Sequence, residues 1–121
     1  MQRVAIDNFS IIVMSGVEDG NIHHFGADDD NSTRGDSWRI TIGRREDNDL
    51  CLKRDTYVSR NHAVLYWRDT HWYLEDKDST NGTFIENPND FFNDERVFNI
   101  VPLKKDQLFR VGRTWLRIEM D

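Results

Sequence analysis

One cysteine, two prolines and no apolar run beyond the length of a strand limit what this chain of 121 residues can be. Cys51 has no partner for an intramolecular disulfide, so nothing demands an oxidising compartment. The opening Met1 to Asp7 lacks the apolar core of a secretory signal, which makes a cytoplasmic location the expectation, or a nuclear one in a eukaryote. A bilayer-spanning helix needs about 20 apolar residues in succession, and none are present. Basic residues are also in the minority: sixteen lysines and arginines stand against twenty-two aspartates and glutamates, for a net charge of −6. That balance speaks against nucleic acid or an anionic membrane as partner, because both repel an acidic surface at long range.

Hydrophobic residues nevertheless make up 37% of the chain and aromatics 12%, enough for one sizeable core and one domain spanning residues 1–121. The period is two. Trp38, Ile40 and Ile42 alternate with Arg39 and Thr41, and Leu116, Ile118 and Met120 alternate with Arg117 and Glu119. Further strand-sized stretches are Phe9 to Met14, Leu50 to Leu52, Ala63 to Trp67, Trp72 to Glu75, Thr83 to Ile85, Val97 to Ile100 and Leu108 to Val111. No stretch sustains a helical period. Arg68 to His71 and Val111 to Thr114 read as hairpin turns, the latter with Gly112 free to adopt positive φ. Many short strands, each with one wet and one apolar face, predict an all-β fold in which two antiparallel sheets form a sandwich. Residues 26–37, rich in Asp, Asn and Ser, are expected to form a mobile loop. A second irregular loop spans 86–96, where Phe91 and Phe92 are expected to tuck against the body.

Three polar clusters interrupt this pattern: Gly43-Arg44, Ser59-Arg60-Asn61-His62 and Asp78-Ser79-Thr80-Asn81-Gly82-Thr83. Each alone is ordinary. An arginine at a strand end commonly pairs with a nearby acid, and Glu46, Asp47 and Asp49 are at hand. Together they supply a guanidinium, hydroxyls and an amide, the groups that hold a phosphorylated side chain without transforming it. His62, just before a buried strand, reads as a structural residue that satisfies backbone groups through both ring nitrogens.

In order and spacing the clusters, together with Asn48 to Leu52 and with Phe84 closing the last, resemble the forkhead-associated (FHA) domain from about residue 38 onward. The resemblance implies an eleven-stranded sandwich whose loops bind phosphothreonine in a partner protein, downstream of a Ser/Thr kinase. It assigns Arg44, Ser59, Arg60 and Thr80 to the phosphate and Asn81 to the ligand backbone. Gly43, His62, Gly82 and Thr83 would shape the loops from behind. The ligand residue three positions beyond the phosphothreonine would meet Asp55, Thr56 and Tyr57, with Asp55 favouring a basic or polar residue there. Two departures stand out: Glu86-Asn87-Pro88 and about ten further residues replace a short hairpin, and Lys105 occupies a place where the family usually has glycine.

Other readings carry less. Ser59, His62 and Asp76 or Asp78 could be drawn as a triad, but no nucleophile elbow or oxyanion motif surrounds Ser59, so no catalysis is expected. His23 and His24 with Asp28 to Asp30 match no closed zinc site, and neither metal nor cofactor is expected. The rival function is a phosphate-independent interaction or dimerisation module that uses Trp67, Trp72 or the Phe91-Phe92 loop as anchors. The chain is expected to be a module of a larger signalling protein.

Overall fold

The computed structural model describes residues 8–26, 37–90 and 92–120. Residues 27–36 of the loop expected to be mobile, and Phe91 of the expected aromatic pair, lie outside that set. The described residues form eleven strands and no helix: β1 (Asn8–Ser15), β2 (Ile22–Gly26), β3 (Trp38–Gly43), β4 (Leu50–Cys51), β5 (Ala63–Arg68), β6 (His71–Asp76), β7 (Thr83–Ile85), β8 (Glu95–Val97), β9 (Ile100–Leu103), β10 (Phe109–Val111) and β11 (Thr114–Met120).

One sheet has the order β2-β1-β11-β10-β7-β8 and the other β4-β3-β5-β6-β9. Alternation decides which face is buried. Ile40 and Ile42 of β3, Phe9, Ile11 and Val13 of β1, and Leu116 and Ile118 of β11 point between the sheets, where each such side chain contributes about 1.5–3 kcal/mol of transfer free energy. At one end of this core Phe9 packs edge-on against Trp38 and Trp72, with centroids 4.9 Å away in both cases, and stacks on Phe25 at 5.2 Å.

Three strand expectations need correction. The sheets are not wholly antiparallel, because β4 runs parallel to β3 through Ile42 opposite Leu50 and Gly43 opposite Cys51. The segment Val97 to Ile100 is not one strand: β8 ends at Val97 paired with Thr83 in one sheet, and β9 starts at Ile100 paired with Glu75 in the other. A chain that switches sheets cannot keep a single ladder. The strand β2 carries no clear strand signal, because Ile22-His23-His24 lacks clean alternation, and it is recruited by pairing with β1.

The turns follow local chemistry. Between β5 and β6, Asp69 and Thr70 both have positive φ, 51° and 68°, as a two-residue primed turn requires. Where the family pattern has glycine at Lys105, the left-handed residue of this turn is its neighbour Asp106, at φ 61°. The connection from β7 to β8 is built on side-chain turns, in which Asn87 Oδ1 accepts from Asn89 N and Asp90 Oδ1 from Phe92 N. Phe92 is 95% exposed, so it is not tucked against the body. The strand ends at Gly43, Ala63, Asp76, Thr83 and Val111 all lie at one end of the sandwich, which brings the three polar clusters onto neighbouring loops.

Candidate functional site

Arg44 leaves β3 with its backbone N donating to Ser59 O at 3.0 Å and its side-chain Nε donating to Val58 O at 3.1 Å. The guanidinium is thereby aimed by one nitrogen. Its two terminal amino groups make no hydrogen bond or ion pair with the described residues, and two of the acids at hand, Asp47 and Asp49, are engaged elsewhere. Asp47 pairs with Arg45 at 3.1 Å, and Asp49 Oδ2 accepts from Thr41 N at 2.9 Å. This close passage of β3 by the following loop requires Gly43, since a Cβ there would lie 2.1 Å from Arg60 O and 2.6 Å from Asn48 Nδ2.

Ser59 joins the second cluster to the third. Its Oγ accepts from Thr80 N at 3.0 Å, and because a hydroxyl both accepts and donates, its proton remains available to an incoming oxygen. Asn81 donates through Nδ2 to Tyr57 O at 2.9 Å, leaving a second amide hydrogen and the side-chain oxygen exposed beside Thr80. Arg44, Ser59, Thr80 and Asn81 are therefore linked within one patch. Arg60 is tied in by its carbonyl, which accepts from Asn48 Nδ2 at 2.8 Å, while its side chain is exposed.

Beneath the patch lies His62, fully buried. Its Nδ1 accepts from Ser59 N at 2.9 Å, so its Nε2 carries the hydrogen and donates to Gly82 O, also at 2.9 Å. A neutral ring is required. Burial lowers its pKa below 6.5, outweighing the opposing pull of the Gly82 carbonyl, Asp76 and Asp55. With both ring nitrogens spent on backbone groups, His62 is not placed to take a proton from the Ser59 hydroxyl.

Two carboxylates that sequence reasoning did not weigh as scaffolding, the half-buried Asp76 and the buried Asp55, hold the loops. Asp76 Oδ1 accepts from Ser79 Oγ at 2.5 Å and from Thr83 Oγ1 at 2.6 Å, while Ser79 Oγ accepts from Gly82 N at 3.1 Å. This knot explains the turn from Asp78 to Gly82, with Thr83 fully buried. Asp55 is 1% exposed and therefore does not line a ligand surface, contrary to the expectation. Its oxygens accept from Tyr57 N, Arg113 N and Thr114 Oγ1 at 2.9, 2.9 and 2.6 Å, which fastens the loop before Ser59 to the β10–β11 turn. A carboxylate with three short donors inside the protein is worth more there than on the rim. The contact between that loop and Gly112-Arg113 joins positions more than fifty residues apart, and only a pairing of distant polar residues could have flagged it.

Two of the aromatic anchors of the rival function are not displayed. Trp67 and Trp72 are 4% and 6% exposed, opposite one another in β5 and β6 with centroids 5.3 Å apart, and so belong to the core.

A two-sheet β-sandwich that gathers an arginine, hydroxyls and an amide on the loops at one end is a binding module. The chain matches the family model of the FHA domain over residues 40–112, and it belongs to that family. It is 47% identical over 79 residues to the FHA domain-containing protein FhaB of Mycolicibacterium smegmatis, a match covering 65% of this chain and 46% of that protein. FhaB of Mycobacterium tuberculosis is 47% identical over 47 residues, which cover 39% of this chain and 30% of that one, so the matches span less than half of these relatives. Among solved structures, the FHA domain of CT664 protein from Chlamydia trachomatis superposes with a TM-score of 0.71 at 20% identity, covering 94% of this chain and 98% of that one. A structure solved in a study of phosphothreonine-dependent FHA domain interactions gives a TM-score of 0.66 at 24% identity, covering 94% and 97%. Among the described residues no helix is long and apolar enough to cross a membrane.

Proposed function

We propose that this chain reads phosphothreonine in a partner protein phosphorylated by a Ser/Thr kinase, acting in signalling or phospho-dependent assembly by binding alone. The observation that carries the reading is the Arg44 guanidinium, aimed by Val58 O and otherwise unspent among the described residues, on the same patch as the Ser59 hydroxyl and the Thr80 backbone. A phosphate of charge about −1.5 to −2 would meet two amino groups and a hydroxyl there, and the contact is too short to be screened by salt despite the net acidity. Asn81 would hold the ligand backbone, and Arg60 would add its charge from the rim. Gly43, His62, Gly82 and Thr83 would act from behind, through the close approach and hydrogen bonds already described. Against catalysis speaks the full engagement of His62 by Ser59 N and Gly82 O. Against a phosphate-independent module speaks the burial of Trp67 and Trp72. The reading places the chain in the cytoplasm, or in the nucleus of a eukaryote, as part of a larger protein.

Calorimetry with matched threonine and phosphothreonine peptides tests it. Binding should require the phosphate, and Arg44→Ala and Ser59→Ala should each weaken it, the arginine by about 1.5–3 kcal/mol as a charge-assisted contact. Equal binding of both peptides, untouched by either substitution, would point to the rival.

A further inference from the structure

We infer that the end of the sandwich opposite the polar loops is a second binding site, which takes a small amphipathic carboxylic acid and is independent of the phosphate patch. A cavity of about 370 Å³ opens there between the sheets, within the range of about 300–1,000 Å³ usual for small-molecule sites. Strand direction puts it there. β6 runs toward the polar loops and β11 away from them, so Trp72 at the start of one and Ile118 and Met120 at the end of the other meet at the far end. Leu103, opposite Trp72 in β9, completes an apolar wall. Alternation turns Met120 inward like Leu116 and Ile118, yet it is 42% exposed, because none of the described residues covers it.

The wall carries a donor without a partner. Trp72 is 6% exposed, and its Nε1 is buried with no acceptor among the described residues. Phe9 packs edge-on against the ring at 4.9 Å and Trp67 lies at 5.3 Å, so the indole is held in that orientation. A buried N–H that lacks an acceptor is costly, and a ligand oxygen that met it would recover the loss.

The rim supplies charge. Lys104 and Lys105 are both exposed, and neither forms an ion pair among the described residues. Of the two acids on the same rim, Glu119 is paired with Arg117 at 3.7 Å, which leaves Asp106 against two lysines. Gln107 is spent at both ends, its Oε1 accepting from Lys104 N and its Nε2 donating to Glu86 O, each at 2.9 Å. The groups left over are an indole N–H and two ammonium groups against one carboxylate, which favours a negatively charged acceptor, while the wall favours an apolar body. Lys105 decides the sign: it stands where the family usually has glycine, and with glycine there Lys104 and Asp106 would cancel. That departure from the family pattern is what makes the mouth cationic on a chain of net charge −6.

The test uses two probes with one tail and opposite heads, sodium octanoate and octylammonium chloride, titrated into the ¹⁵N-labelled chain. The indole Nε1–H resonance of Trp72, assigned with W72F, should shift saturably with octanoate, while that of Trp115, on the outer face of its sheet, stays in place. Octanoate should bind about threefold to tenfold more tightly than octylammonium, the range of one or two exposed ion pairs. K104A/K105A, changed only at exposed positions, should keep the wild-type urea midpoint and erase that preference, and K105G should reduce it. In calorimetry W72F, which keeps an apolar wall and loses the donor, should weaken octanoate about twofold to tenfold. No saturable shift at Trp72, an equal shift at Trp115, equal affinity for the two heads, or a preference that K104A/K105A leaves intact would each overturn the site.

Discussion

Replacing His62 by alanine should damage both stability and binding, although the imidazole is buried away from any ligand. The ring bridges Ser59 N and Gly82 O at 2.9 Å on each side, so its removal orphans a donor in one loop of the candidate site and an acceptor in the other. Each buried orphan costs about 1–3 kcal/mol, for a combined loss of about 2–6 kcal/mol before the void left by the ring is counted. Against a total stability of about 5–15 kcal/mol for a domain, that is severe but measurable. Urea unfolding followed by tryptophan fluorescence reads it directly, since Trp38, Trp67 and Trp72 are buried. Phosphopeptide titration of the folded variant reads the second effect, a weaker affinity through a loosened Ser59. His62→Gln, which can satisfy one of the two groups, should fall between wild type and His62→Ala on both scales. A loss below about 1 kcal/mol for His62→Ala, with affinity unchanged, would refute the idea that this ring holds the two loops together.

The same ring sets a pH dependence. The unfolded chain takes up a proton at the ordinary histidine pKa of 6.5, whereas burial holds His62 neutral to lower pH in the folded protein, and burial acts in the same direction on His23. The stability from neutral His62 is therefore complete above pH 6.5 and is lost as pH falls below it; unfolding midpoints measured from pH 7.5 to 5 should decline more steeply for the wild type than for His62→Gln. Gly43→Ala should force apart the two loops it separates, because its Cβ would meet Arg60 O at 2.1 Å. A stability loss of about 1–3 kcal/mol in urea and a weaker phosphopeptide affinity are expected, and an unchanged midpoint would contradict the contact.

Much of the fold is legible in the chain because alternation carries its own physical reason: Trp38, Ile40 and Ile42 must share a face, and a strand with one apolar face needs a second sheet. The hairpin at Arg68 to His71 is legible for the same kind of local reason. What fails is whatever depends on a neighbour. The strand β2 exists because β1 offers a ladder, and Val97 to Ile100 divides between sheets because Thr83 and Glu75 lie on different ones. Of the site, the polar clusters announce themselves by residue type, and His62 by its place before a buried strand. Asp55 misled because an aspartate in a loop is usually wet, whereas here Arg113 and Thr114, far along the chain, supply the donors that allow it to be buried.

The sequence by itself determined which faces are apolar, where the chain turns, and which residue types are available to meet a phosphate, since these follow from side-chain chemistry and short-range sterics. Only the tertiary structure decided which charges are displayed and which are hidden. Arg44 has no ion-pair partner among the described residues, Asp55 is buried and Arg113 lies on Tyr57 because the free energy of a charge depends on the donors, acceptors and solvent around it, and the packing of two sheets is what brings those together.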